Sequence, residues 1–427
     1  MKVLHLSTYD LVGGASRSSY RLHQGLKKIG VTSQMLVQSK HSDDKTVIAT
    51  EPKSGVKRAI AKSKALVNDL PLKLYPQRNS PMFSAQLFPD AIARKISKIA
   101  PDIINLHWVC NGYLQIETLS KFEQPIVWTL QDMWAFTGGC HYTQECDRYT
   151  TSCGACPQLE SSKNRDLSYK VWQRKLKAWN NLNITVVTPT QWLAECARAS
   201  SIFRDHRVEV IPFCLDTNTY KPVDRQLARE LLKLPQDKQL VLFGAISATS
   251  DRRKGFHLLQ AALQKLSQTS SKEKLNVVVF GASQPENPVN LGFESHYLGH
   301  LYDDISLALT YSAADVMIVP SIQEAFGQTA SESLACGTPV IAFNATGLKD
   351  IVDHQENGYL VKPYETDDFA QGIAWVLEDT ERHQKLCESA RQKAIRKFAL
   401  KLQARHYQSL YADILNGITY EEKYRNL

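Results

Sequence analysis

Short, mostly apolar runs alternate with helix-patterned segments along the chain, and no other feature constrains its fold as tightly. In the first half the runs are Lys2–Thr8, Ser33–Gln38, Asp102–His107, Pro125–Leu130, Ile184–Thr188 and Val208–Pro212. In the second half they are Leu240–Ile246, Asn276–Gly281, Asp315–Pro320, Pro339–Phe343 and Gly358–Val361. Several are apolar throughout, as parallel strands covered by helices on both faces must be. Repeated β–α order assigns the chain to the α/β class with doubly wound sheets. The polar stretch IPFCLDTNTYKPV after Val210 divides the series in two. Two domains are therefore expected, about 1–215 and 216–395, facing a central ligand cleft at the carboxyl ends of their strands. The remainder, 396–427, is helical in pattern.

A chain of 427 residues with 43% hydrophobic and 22% charged residues has the makings of a large core and of an ordinary globular enzyme. No window reaches the roughly 18 uninterrupted apolar residues of a membrane span. The start, MKVLHLSTYDLVGG, lacks the apolar region and cleavage site of a secretory signal. Nine cysteines without such a signal point to a reducing compartment, so a cytoplasmic protein is expected. The net charge of +8 is concentrated: between Pro52 and Ala100 ten basic residues face only Asp69 and Asp90. Within GVKRAIAKSKALVNDLPLKLY, Val56, Ile60, Leu66 and Val67 form a rough helical stripe beside lysines. Such a stretch can rest on anionic lipid at the inner membrane face, or it can be a solvated surface helix. No nucleic-acid-binding module accompanies the charge, so no nucleic-acid partner is expected.

The densest chemistry lies in SIQEAFGQTASESLACGTPVIAF, where Glu324 and Glu332 stand seven residues apart. A loop ending at Gly327 lets backbone N–H groups approach a ligand, and the helix after it turns its positive end toward a phosphate. This segment resembles the Glu-x7-Glu signature of glycosyltransferase family 4, retaining enzymes of the GT-B fold, down to the Gly-Thr-Pro-Val turn. The resemblance extends over essentially the whole chain. It implies two Rossmann-like domains with the last helix crossing back to the first. The second domain would bind a nucleoside diphosphate-sugar donor. Glu324 would hold donor-sugar hydroxyls and Glu332 the ribose, with further donor contacts from Phe326, Gly327, Gln328, Thr329 and Leu301 (in HYLGHLYDD).

In LVLFGAISATSDRRKGFHLLQAAL the basic residues Arg252, Arg253 and Lys254 stand where a loop meets a helix. Cations placed there can neutralise a diphosphate leaving group as the glycosidic bond breaks. The family lysine maps onto Lys254. Relatives often carry an arginine directly after the strand glycine; here Ala245 follows Gly244, so Arg253 or Arg252 is expected to take that role. Gly13 and Gly14, with Ser16, match the family's glycine loop after the first strand. One position departs from the pattern: in TLQDMW, Gln131 stands where relatives place a histidine against the donor sugar. Glutamine donates and accepts hydrogen bonds but does not titrate. His107, ending another strand run, has a cleft role or a structural one.

Finally, Cys140, Cys146, Cys153 and Cys156 form a C-x5-C-x6-C-x2-C cluster within an insertion at about 138–158. A structural zinc, four reduced thiols and disulfides are all open, with His141 as an alternative ligand. The insertion resembles that of a family 4 subgroup that builds exopolysaccharides. The resulting expectation is a hexosyltransferase that moves a sugar, with retention, to an acceptor hydroxyl, lipid-linked in the membrane-bound case. It would need no catalytic metal. Another GT-B activity such as a nucleotide-sugar epimerase, or a non-catalytic sugar-nucleotide-binding protein, are the alternatives.

Overall fold

The computed structural model describes residues 1–51, 68, 70–78, 82–244, 251–268, 273–286 and 289–418. The chain divides into two compact units, Met1–Pro212 with Gln403–Leu427, and Phe213–Leu402.

The first unit holds a seven-stranded parallel sheet of β1 (Lys2–Tyr9), β2 (Thr32–Ser39), β3 (Val47–Ala49), β4 (Ile103–Leu106), β5 (Ile126–Thr129), β6 (Ile184–Thr188) and β7 (Val208–Val210). Its spatial order is β3-β2-β1-β4-β5-β6-β7. The second unit holds a six-stranded parallel sheet of β8 (Gln239–Gly244), β9 (Leu275–Phe280), β10 (Ser295–Tyr297), β11 (Val316–Val319), β12 (Val340–Phe343) and β13 (Gly358–Val361). Its order is β10-β9-β8-β11-β12-β13. In both sheets the order reverses beside the first strand, between β1 and β4 and between β8 and β11. Doubly wound sheets bind ligands at such points, beyond the strands' carboxyl ends.

The sequence of the central strands dictates their depth. VMIV in β11 and VIAF in β12 are buried at every position. Alternate residues feed two separate cores, as a side-chain period of two requires. Leu240, Leu242, Met317, Val319, Val340 and Ala342 pack on one face of the sheet. Val241, Phe243, Val316, Ile318, Ile341 and Phe343 pack on the other. Arg229 secures the far end of this sheet: its guanidinium donates to Asp315 Oδ2 at 2.7 Å and to the Ala313 carbonyl at 2.9 Å.

Sequence periodicity did not mark β3 and β10. Each is a three-residue strand at a sheet edge, too short to show a pattern. The unit boundary falls at Pro212/Phe213, and Arg396–Leu402 stays with the second unit. Phe398 explains this, because it is buried against Phe326 with ring centroids 5.6 Å apart. The helix Leu400–Leu415 then contributes Tyr407 and Tyr411 to the first unit. Asn105 Nδ2 donates to the Tyr411 hydroxyl at 2.6 Å, and the hydroxyls of Thr129 and Tyr407 are 3.1 Å apart. The apolar stripe of the basic segment (Val56, Ile60, Leu66, Val67), its Lys53, Lys57, Arg58, Lys62 and Lys64, and Ala245–Ile246 at the expected end of β8 lie outside the described residues. Among the described residues no helix is long and apolar enough to cross a membrane.

Candidate functional site

In the second unit, β11 ends at Val319 and a loop carries the chain to the helix Gln328–Ala335. Gly327 caps this helix with φ 97°, a left-handed conformation suited to glycine. It has no side-chain oxygen to satisfy the first-turn N–H groups, which face a ligand more readily than side-chain-capped ones. Across from it runs a single turn, Arg252–Lys254, whose start is capped by the Asp251 carboxylate accepting from Arg253 N–H at 3.0 Å. Gly255 (φ 73°) lets this turn press against the end of β11. A Cβ at that position would stand 1.8 Å from the Pro320 carbonyl oxygen. The approach is sealed by Ile322 N–H donating to the Arg253 carbonyl at 2.8 Å, and by Arg253 Nη1 donating to the Gln323 carbonyl at 2.9 Å.

This packing brings three sequence-expected residues together. The Lys254 ammonium contacts Glu324 Oε1 directly, Arg253 Nη1 lies 3.5 Å from the same oxygen, and the Ser321 hydroxyl donates to it at 3.1 Å. Glu324 is 9% exposed. Burial alone would raise its pKa, but Lys254 first and Arg253 second outweigh that and hold the carboxyl below its ordinary range. The loop is pinned from behind as well, with Glu324 N–H donating to Thr346 Oγ1 at 3.1 Å and Gly347 N–H to the Glu324 carbonyl at 2.9 Å. The result is a fixed carboxylate beside two cations at the carboxyl end of a switch-point strand. Such a site can hold hydroxyls and a polyanion side by side.

Other expected residues sit differently. Glu332 is buried, and its Oε2 accepts a 2.9 Å hydrogen bond from the Tyr311 hydroxyl. Phe326 points into the core between Phe213 and Phe398, so only its backbone is available to a ligand. Leu301 is half-buried against the same core. Gln328 and Thr329, on the first turn of the helix, are half-buried, and Arg252 is exposed. Ser321, Thr346 and Tyr311 belong to no motif in the sequence. Ser321 stands only three residues before Glu324, a spacing that carries a local signal; the other two meet the site through tertiary packing.

In the first unit, Gly13 (φ 80°) opens the helix Gly13–Lys28 directly after the loop that follows β1. Gly14 is exposed and Ser16 is buried, so the Ser16 hydroxyl faces inward. The loop is tied by Asp10, whose carboxylate accepts from the N–H groups of Leu11, His41 and Ser42 at 2.8–3.0 Å. Gln131, half-buried beyond β5, has its amide oxygen 2.8 Å from Ser18 Oγ and its amide nitrogen 3.4 Å from His107 Nδ1. His107 Nε2 in turn lies 2.9 Å from Nδ1 of His5, on β1. Burial, followed by the proximity of His23, lowers the His107 pKa to about 3. Burial, then His107 and His23, keeps His5 neutral far below the usual imidazole range.

The four clustered cysteines are free thiols, with Cys140, Cys153 and Cys156 buried and Cys146 half-buried. Burial first, then the neighbouring Cys156, Cys153 and Cys146, raises the Cys140 pKa. Cys153 is pushed up to about 12 by burial, although Gly138 N–H donates to its sulfur at 3.1 Å. Among the described residues no three His, Cys, Asp or Glu side chains converge as a metal-ligand set. His141 has both ring nitrogens engaged, Nδ1 with Asp132 Oδ2 at 2.6 Å and Nε2 with Ser84 Oγ at 2.9 Å.

Residues 224–393 match the family model described as glycosyl transferases group 1. The D-inositol 3-phosphate glycosyltransferase 2 of Catenulispora acidiphila is 32% identical over 202 residues, which cover 44% of this chain and 47% of that protein. A D-inositol 3-phosphate glycosyltransferase of Corynebacterium aurimucosum is 26% identical over 331 residues, covering 74% of this chain and 72% of that one. The chain spans about half the length or less of the curated relatives it matches above 30% identity. Sucrose-phosphate synthase from Thermosynechococcus elongatus superposes with a TM-score of 0.70 at 20% identity, covering 98% of this chain and 100% of that one. HepE of Anabaena, in complex with UDP and glucose, does so with a TM-score of 0.63 at 17% identity, covering 96% and 99%. These likenesses show the fold, the paired Rossmann-like domains of GT-B.

Proposed function

We propose that this protein is a retaining glycosyltransferase of family 4 type, transferring a hexosyl group from a nucleoside diphosphate-sugar to an acceptor hydroxyl. One observation carries the reading: a buried carboxylate, Glu324, is held by Lys254 and Arg253 at the end of a switch-point strand, inside the segment that matches group 1 glycosyl transferases. In the reaction, the bond between the anomeric carbon and the diphosphate oxygen breaks as the acceptor oxygen attacks the same face. The acceptor's proton passes to the departing phosphate. Lys254, Arg253 and the N-terminus of the helix Gln328–Ala335 stabilise the charge growing on that phosphate, and Glu324 holds the sugar. In the first unit, Gln131 and the Gly13–Gly14 loop offer polar side-chain and backbone groups of the kind a sugar or a phosphate binds. The nucleotide in HepE makes UDP-sugars the first donors to try, and the acceptor class is that of polysaccharide or glycoconjugate synthesis.

A thermal-shift series with UDP-, GDP- and ADP-sugars tests the reading, since a ligand bound only by the folded state raises Tm. The donor that shifts Tm is then incubated alone and with saccharide acceptors, and the anomeric configuration of the product is determined. Absence of any nucleotide-dependent shift refutes donor binding. Conversion of the donor alone to an epimer identifies an epimerase, and binding without turnover identifies a non-catalytic protein.

The cysteine cluster is proposed as a structural zinc site, bracing the insertion outside the chemistry. Its support is that Cys140 lies within electrostatic reach of Cys146, Cys153 and Cys156. Metal binding requires the thiols to draw together from their present positions. Elemental analysis of protein purified without added metal should find about one zinc per chain; substoichiometric zinc with four reactive thiols refutes it. A cytoplasmic location is proposed, in keeping with nine cysteines in the thiol state. The basic 52–100 segment is proposed to hold the protein on anionic membrane near a lipid-linked acceptor. Vesicle co-sedimentation should fall with added salt and vanish on neutral lipid.

A further inference from the structure

Behind Gln131 lies a chain of polar groups that the proposed reaction does not use. It runs from His5 on β1, through His107 beyond β4, to the Gln131 amide, to the Ser18 hydroxyl and finally to the Ala15 carbonyl, which is 2.9 Å from Ser18 Oγ. His5 and His107 are almost wholly buried, with exposures of 0% and 2%. At the inner end, His5 Nε2 is buried with no hydrogen-bond partner among the described residues. At the outer end, Gln131 is half-buried.

Counting protons gives this chain a direction. Ser18 has one hydroxyl proton, which cannot serve both the Ala15 carbonyl and the Gln131 amide oxygen. Suppose first that Ser18 donates to Gln131. The amide nitrogen then donates to His107 Nδ1, and His107 Nε2–H donates to His5 Nδ1. His5, being neutral, must carry its proton on Nε2, where it is a buried donor without an acceptor. Now suppose that Ser18 donates to Ala15. The amide turns over, its nitrogen donates to Ser18 and its oxygen accepts from His107 Nδ1–H. His107 Nε2 accepts from His5 Nδ1–H, and the atom left over is a bare lone pair. An orphaned buried N–H is rarer than an under-satisfied acceptor, so the second arrangement is the stable one.

We infer that His107, oriented by the buried His5, is a positioning residue that fixes the Gln131 amide, and that the hydrogen bonds run His5 to His107 to Gln131 to Ser18. Each amide group spends one hydrogen-bonding capacity on this chain. One N–H and one lone pair of the amide remain. That pair matches a neutral sugar hydroxyl, which donates and accepts at once, and it disfavours a carboxylate, which only accepts. The inference rests on the proposed function for its ligand, and on the first unit alone for its geometry.

Two measurements test it. In the full chain with 15N-labelled histidine, His5 and His107 should both show the Nδ1–H tautomer, and Gln131→Leu should shift the His107 nitrogen signals. Both histidines in the Nε2–H form, or His107 signals indifferent to Gln131→Leu, overturn the direction or the coupling, whatever the protein catalyses. Where a donor turns over, Gln131→Leu and His107→Phe should each raise KM for the neutral hexosyl donor about tenfold with a smaller change in kcat. The double variant should be no worse than the poorer single variant, because the two act as one unit. A purely structural His107 would give losses that multiply, or a lowered Tm with unchanged KM, and either result overturns the positioning role.

Discussion

Replacing Gly255 by alanine tests the packing on which the Lys254–Glu324 site depends. Alanine at φ 73° sits in the left-handed region, which costs about 1–2 kcal/mol. Its methyl would also fall 1.8 Å from the Pro320 carbonyl oxygen, where contacts below 3.0 Å essentially never occur. The Arg252–Lys254 turn must therefore retreat from the end of β11 by about 1.2 Å, the difference between those two distances. That retreat breaks the Ile322-to-Arg253 and Arg253-to-Gln323 hydrogen bonds, at about 1 kcal/mol each. Together the losses come to about 3–4 kcal/mol in urea unfolding of the second unit. Gly299 is the control. Its φ of 68° is similar, but a Cβ there meets nothing within 4 Å, so Gly299→Ala should lose only the strain, about 1–2 kcal/mol. Calorimetric titration of the folded Gly255→Ala protein should show nucleotide-sugar affinity reduced at least about tenfold, which takes 1.4 kcal/mol. Equal stabilities for the two variants, or wild-type affinity in Gly255→Ala, would refute the argument that this glycine sets the site.

Four further outcomes are expected. Glu324→Ala removes a charged hydrogen bond worth roughly 1.5–3 kcal/mol, so kcat/KM with the identified donor should fall about ten- to a hundred-fold; Glu332→Ala should chiefly weaken binding of the free nucleotide, and unchanged turnover in folded Glu324→Ala would sink the assigned role. His23 is held neutral down to about pH 4 by burial, with Lys27 adding to the effect, whereas an unfolded histidine takes up its proton near pH 6.5. Between those values the unfolded state binds more protons, so stability falls as pH is lowered through the window. His23→Gln should reduce that slope by about 1.4 kcal/mol per pH unit, measured by urea unfolding at pH 6 and pH 5. Arg229→Ala leaves the buried Asp315 with Arg225 and the Leu240 N–H as partners, and should destabilise the second unit by about 3 kcal/mol; a change under about 0.5 kcal/mol would show that the pair contributes nothing net.

Legibility in the sequence followed the range of the interactions involved. Strands such as VMIV and VIAF announce themselves because both their faces are buried, whereas β10, with Ser295 and His296 at an edge, offers no pattern. The placing of Lys254 against Glu324 spans 70 residues and depends on β8 lying beside β11, which local periodicity does not reveal. The same is true of Gln131: its departure from the family pattern is visible in one letter. Its anchoring by His107 and Ser18 exists only because β1, β4 and β5 are neighbours. Glu332 looks like an exposed helix carboxylate until Tyr311, 21 residues earlier, folds beneath it.

The ion pair between Lys254 and Glu324 has one more consequence. A lysine already neutralised by a buried carboxylate meets an incoming diphosphate as an exchange of partners, so much of the attraction to the intact donor is offset by the contact it gives up. As the glycosidic bond lengthens in the proposed reaction, negative charge accumulates on the phosphate and the exchange becomes progressively more favourable. In that proposed reaction the pre-formed pair would restrain tight binding of the ground state and reserve its stabilisation for the transition state.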